Sequence, residues 1–133
     1  MIKELSILQE DMILIQSESE VNKPYEACGV MIGDVENNTV IVKKVIPITN
    51  IRRTTASFEL DPQEFYDAWN SADKSGNEIV GIYHSHPFSF GTPSSWDRDT
   101  MKNVSLVWLI AGTNGTFGYI YDDGIKNVNI LVK

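Results

Sequence analysis

The chain predicts an α+β fold, a mixed β-sheet with helices packed against it. Three observations point there. Short apolar runs bounded by turn residues alternate with helical patterns through most of the chain, and three strand patterns in close succession end it. Hairpin-length connections occur near both ends. The 133 residues, 42% hydrophobic and without repeats or low-complexity tracts, amount to one domain and suffice to bury a core without disulfides.

From about Ile7 to Glu20, Leu8, Met12 and Ile15 recur at helical spacing, with Glu10, Asp11, Glu18 and Glu20 on other faces. ACGVMIGD reads as a strand, Asn37–Asn38 as a turn and NNTVIVKKVIPI as a longer second strand. ELDPQEF opens a helix sharply. Asp61 is its N-cap, Pro62 its first residue, and Glu64 stands where a capping box wants it. Phe65, Ala68 and Trp69 supply its buried face, and Gly76 ends it. EIVGIYHSH is almost continuously apolar, so it reads as a buried central strand with histidines at its end. Pro93, Ser94 and Asp97 open another helix. SLVWLIAG, GTFGYIYDD and IKNVNILVK close the chain as strands, with turns at Asn114–Gly115 and Asp123–Gly124.

Composition narrows the function. No apolar run approaches the roughly 20 residues of a membrane span, and the acids in MIKELSILQEDMILIQ fit neither a signal nor a transit peptide. A cytoplasmic setting is the expectation, and the single cysteine agrees with a reducing compartment. The net charge is −7 and the largest basic clusters are the pairs Lys43–Lys44 and Arg52–Arg53, which argues against a nucleic-acid partner.

The chemistry concentrates in YHSHPFSFGTPSSWDRD. Residues two apart in a strand share a face, so His84 and His86 project together while Tyr83 and Ser85 point away. Two imidazoles make half a zinc site. The loop PFSFGTP, with Gly91 and Pro93 as turn residues, can fold back and deliver Asp97 from the next helix. Two histidines and a carboxylate leave a fourth position for water, the composition of a catalytic site. Spacing alone leaves a second reading open. Ser94 and Asp97 also form an ordinary capping box, and paired histidines at a strand end can be hydrogen-bonded polar residues. Cys28, in an apolar strand, reads as a buried structural thiol.

His84-Ser85-His86, seven residues, Ser94, two residues and Asp97 match the H-[S/T]-H-x7-S-x2-D signature of the JAMM (MPN+) metalloproteases. The chain resembles that family further in PYEACGVMIG, SFELDPQEF, VGIYHSHP and SLVWLIAG. The resemblance implies a JAB/MPN domain over residues 1–133, a cytidine-deaminase-like α/β/α sandwich. It implies one Zn2+ per chain with a bound water, held by His84, His86 and Asp97. Glu26 becomes the general base and Ser94 the hydroxyl that helps stabilise the tetrahedral intermediate. Glu26 rests on the resemblance alone, since it lies 58 residues before His84 and is one of 18 acids. Phe88 and Phe90 beside the motif are candidate substrate contacts, as is Asn50, which shares a polar stretch with Arg52, Arg53 and Ser57.

The implied activity is hydrolysis of the isopeptide, peptide or amide bond after the C-terminal Gly-Gly tail of a ubiquitin-like or sulfur-carrier protein. Without the insertions of eukaryotic deubiquitinases, the chain resembles the prokaryotic stand-alone type. No oligomeric state is implied. Rival readings are a non-catalytic zinc-containing MPN binding or scaffold module, a RadC-type relative linked to DNA repair, and a phage-tail or cell-wall peptidase relative. The acidic charge counts against the RadC type.

Overall fold

The computed structural model describes residues 1–133. In chain order the elements are β1 (Glu4–Ile7), α1 (Gln9–Val21), β2 (Cys28–Glu36), β3 (Thr39–Ile48), α2 (Pro62–Lys74) and β4 (Glu78–Ser85). Then come α3 (Ser95–Met101), β5 (Val107–Gly112), β6 (Gly115–Tyr121) and β7 (Ile125–Val132). The sheet is mixed, as expected. β4 and β5 run parallel, while β2/β3, β2/β4, β5/β6 and β6/β7 pair antiparallel.

The layered sandwich expected from the resemblance does not describe how the sheet ends. β1 pairs in parallel with both β3 and β7, so the order β1-β3-β2-β4-β5-β6-β7 closes into a barrel. The sequence reading had no strand here. β1 is only four residues long, and its Ile7 falls into the helical pattern that follows. Leu5 and Ile7 are nevertheless fully buried, and α1 begins only at Gln9.

The two faces of the sheet bury different helices. Met12 and Ile15 of α1 join Leu5, Ile7, Val40, Tyr83 and Leu109. Ile82 and Trp108, each one residue from a member of that cluster, pack on the other face with Phe58 and Met101 of α3. Ala68 of α2 lies against Val30 and Ile48. Trp69, expected inside, is 50% exposed and stacks on exposed Tyr66; Ala68 and Ala72 make the buried stripe instead. Trp69 falls about 100° round the helix from Ala68, at the margin of that stripe, where its ring meets Tyr66 instead.

The start of α2 is as predicted at Asp61, whose carboxylate accepts from the Gln63 and Glu64 amides. Glu64 does not close the box; its Oε1 accepts the Thr49 amide at 3.0 Å and so fixes the end of β3 to the helix. The predicted turns hold. Asn37, Gly115, Asp123 and Gly124 have φ of 56°, 127°, 52° and 116°, the left-handed backbone that Asn, Asp and Gly tolerate. No helix of the chain is long and apolar enough to cross a membrane.

Candidate active site

The histidines sit where β4 runs out. The His86 amide still donates to the Ala111 carbonyl of β5 at 2.8 Å, so the extended course continues and His84 and His86 share a face. His84 is fully buried, stacked on Phe58 with centroids 4.6 Å apart and edge-on to Trp108 at 5.7 Å. His86 is oriented by a hydrogen bond, its Nδ1 donating to the Phe90 carbonyl at 2.8 Å. That carbonyl is held in place by its neighbours. The Gly91 amide donates to Asn114 Oδ1 at 2.9 Å, and the Tyr119 hydroxyl donates to the Gly91 carbonyl at 2.8 Å. Gly91, expected as a turn residue, lies against the β5 backbone: a Cβ on it would fall 2.9 Å from the Ile110 carbonyl oxygen, and one on Gly112 2.1 Å from the Gly91 nitrogen.

At the start of α3 Ser94 and Asp97 form the predicted capping box, and the same carboxylate reaches the histidines. Ser94 Oγ accepts from the Asp97 amide at 3.1 Å, and Asp97 Oδ2 accepts from the Ser94 amide at 2.9 Å, a complete capping box. The same carboxylate lies 2.9 Å from His84 Nε2 and 3.0 Å from His86 Nε2. The cap is what aims the carboxylate at the histidines.

The donor chemistry calls for a cation. A carbonyl can only accept, so His86 must present a proton to it at Nδ1, and a neutral ring then shows a lone pair at Nε2. That nitrogen lies at hydrogen-bonding distance, 3.0 Å, from a carboxylate oxygen, a contact that holds a proton on a charged ring or a cation in its place. His84 Nε2 meets the other oxygen at 2.9 Å without the angle of a hydrogen bond. Facing acceptors repel unless protons or a cation lie between them. Imidazole nitrogen and carboxylate oxygen are the donors zinc takes. His84, His86 and Asp97 fit such an ion.

Glu26 completes the cluster from just ahead of β2. It is 3% exposed, one of its carboxylate oxygens lies within 4.8 Å of the ligating atoms of His84 and His86, and its Oε1 has no hydrogen-bond partner. No Glu26 oxygen comes within 4.0 Å of an imidazole nitrogen, so Glu26 stands farther from the rings than Asp97 does. Burial pushes its carboxyl up to about 8, with Asp97 adding to the effect and His86 opposing it. A cation nearby would favour the carboxylate and reverse this shift. Burial lowers His84 below the usual imidazole value. At His86 and Asp97 burial is outweighed by their contact: His86 is raised, and Asp97 is held well below the usual carboxylate range by both histidines. A neutral His84 and an ionised Asp97 are the forms a metal binds.

The other candidates divide. Phe88 and Phe90 are 67% and 63% exposed beside His86. Asn50 is half-buried, its amide fully engaged inside the protein with Glu26, Arg52, Ser57 and Glu59. Arg52 donates to Ser57 Oγ and its guanidinium lies 5.9 Å from the Trp96 ring centroid. Cys28 is buried, donates to the Ile48 carbonyl, and is pushed by burial up to about 12. The sequence reading passed over Phe58, whose only signal was being one apolar residue in a polar stretch. It also gave Ser85 no role, although Ser85 Oγ accepts the Ala27 amide at 2.8 Å.

A model of the prokaryotic homologues of the JAB domain matches residues 10–121 of this chain. The chain belongs to that family. Within the JAB-domain family it is 36% identical over 93 residues to a desampylase of Haloferax volcanii, covering 69% of this chain and 66% of that protein's length. It is 28% identical over 108 residues to the CysO-cysteine peptidase of Mycobacterium tuberculosis, covering 80% of this chain and 73% of that one. A Desulfitobacterium hafniense protein solved in solution superposes with a TM-score of 0.88 at 26% identity, covering 97% of this chain and 92% of its own. The fold of this chain is thus shared with that solved structure along almost the whole length.

Proposed function

We propose that residues 1–133 act as one catalytic domain, a cytoplasmic zinc metallopeptidase of the JAMM type. It would hydrolyse the isopeptide, peptide or amide bond that follows the Gly-Gly tail of a ubiquitin-like or sulfur-carrier protein. The single observation behind this reading is the convergence of His84, His86, Asp97 and a Glu26 carboxylate without a hydrogen-bond partner at Oε1 on one buried point. The names of the similar proteins, desampylase and CysO-cysteine peptidase, support the substrate class.

When bound, zinc supplies Lewis-acid polarisation of a carbonyl and an acidified water. The residues do the rest. His84, held between Phe58 and Trp108, and His86, held by the Phe90 carbonyl, orient their Nε2 atoms at one point. Glu26 takes the proton of the attacking water at its free oxygen and returns it to the leaving amine nitrogen. Ser94 Oγ accepts one hydrogen bond from the Asp97 amide and keeps its own proton to donate towards the carbonyl oxygen as negative charge develops there. The exposed rings of Phe88 and Phe90 offer apolar surface to the substrate beside His86.

The test is a Gly-Gly-terminated ubiquitin-like carrier joined by amide bonds to lysine or to cysteine. The zinc-loaded protein should release a carrier ending in Gly-Gly; a chelator and Glu26→Gln should each abolish release. Zinc-loaded protein that binds such conjugates without cutting them would replace this reading with a binding module.

A further inference from the structure

Glu26 precedes β2 and takes no part in its ladder, yet its carboxylate has to stand at a fixed point beside the histidines. Its own carbonyl is held by a side chain instead, and the first backbone bond to β4 comes one residue later, where the Ser85 amide donates to the Ala27 carbonyl at 3.0 Å. The peptide unit joining Glu26 to Ala27 is gripped on both sides. Asn50 Nδ2 donates to the Glu26 carbonyl at 3.0 Å, and Ser85 Oγ accepts the Ala27 amide at 2.8 Å. Ser85 lies between His84 and His86, so one grip refers Glu26 to the strand that carries the histidines.

The other grip refers it to the loop that carries Phe58. The second hydrogen of Asn50 Nδ2 points to the Ser57 carbonyl at 3.4 Å, and Asn50 Oδ1 accepts the amides of Arg52 and Glu59 at 3.0 and 3.1 Å. Two donors and two acceptors on one planar group exhaust what an amide can form. Alanine supplies none of these bonds, and aspartate supplies only the acceptors. The loop so folded presents Phe58 to the face of His84.

We infer that Asn50 is a positioning residue: with Ser85 it clamps the Glu26–Ala27 peptide, and so fixes the Glu26 carboxylate relative to His84 and His86. This replaces the expected substrate contact at Asn50. The inference rests on the reading of Glu26 as the base, and its test separates the two.

Asn50→Asp is the informative variant, because it keeps the acceptor for Arg52 and Glu59 but loses the donor to Glu26. A clamp predicts that the zinc-loaded variant, compared crystallographically with the wild type, has its Glu26 carboxylate displaced by about 1 Å with His84, His86 and Asp97 in place. A displacement of that size predicts a fall of about 10²-fold in kcat, with KM and bound zinc unchanged. Superposition of the carboxylate within about 0.5 Å overturns the inference whatever the activity. So does a displaced carboxylate with unaltered kcat in an active enzyme. If the wild type cuts no Gly-Gly conjugate, the proposed function falls, and the clamp is decided by the displacement alone. Should Asn50→Asp not fold, Ser85→Ala removes the opposite grip and is read in the same way.

Discussion

Cys28 and Glu26 are two residues apart, both buried and both pushed upward by burial, and only one of them is built to react. Cys28 donates to a backbone carbonyl in a strand, and at about 12 its thiol has almost no thiolate at working pH. Iodoacetamide at pH 8 should therefore leave the native protein unmodified and label it once after unfolding, as read by mass spectrometry. Rapid labelling of native protein would mean that the strand opens. Glu26 differs because its Oε1 has no partner and its carboxylate clusters with His84 and His86, a group able to hold a cation. At this scale the motif residues were legible in the sequence, since a strand places His84 and His86 on one face whatever surrounds them. Glu26, Asn50 and Phe58 were not legible bottom-up. Their proximity is created by strand pairing between distant segments, and no local spacing encodes it.

Among the elements, α3 shows most clearly how secondary structure aims chemistry. Its capping box fixes the Asp97 carboxylate, and the same box holds Ser94 at the edge of the site. Ser94→Ala should cost about 1 kcal/mol of stability through the lost cap and about 10²–10³ in rate through the lost donor. Ser94→Gly separates the two effects, because glycine at an N-cap costs only a few tenths of a kcal/mol while the rate loss remains. Melting temperature and kcat measured on both variants decide it; a glycine variant with full activity would leave Ser94 a cap only. Helix starts were legible at Asp61 and Ser94, where short polar side chains precede the first turn. On the buried face of α2, Phe65 and Ala68 were legible and Trp69 was not. Trp69 falls at the margin of the stripe made by Ala68 and Ala72, and its indole turns outward to Tyr66.

For the molecule as a whole, the sheet's closure matters most. β1 supplies the strand that joins β3 to β7, and its Leu5 is fully buried. Leu5→Ala should destabilise the protein by about 2–5 kcal/mol, measured by denaturant unfolding. Val132→Ala, at a 51% exposed position of the neighbouring strand, should change stability by less than about 0.5 kcal/mol. Equal effects would mean that the seam contributes nothing to the core. The mixed sheet and its flanking helices could be read from alternation and turn residues, but a four-residue strand running into a helix leaves too little pattern to announce a barrel.

Whether His84, His86 and Asp97 hold a catalytic metal beside Glu26 is decided by elemental analysis of protein purified without chelators. The account predicts about one zinc per chain in the wild type and in Glu26→Gln, with turnover lost in the latter, and little or none in Asp97→Ala. Wild-type protein that takes up no zinc even when it is supplied, or an Asp97→Ala variant that keeps both zinc and activity, would contradict it.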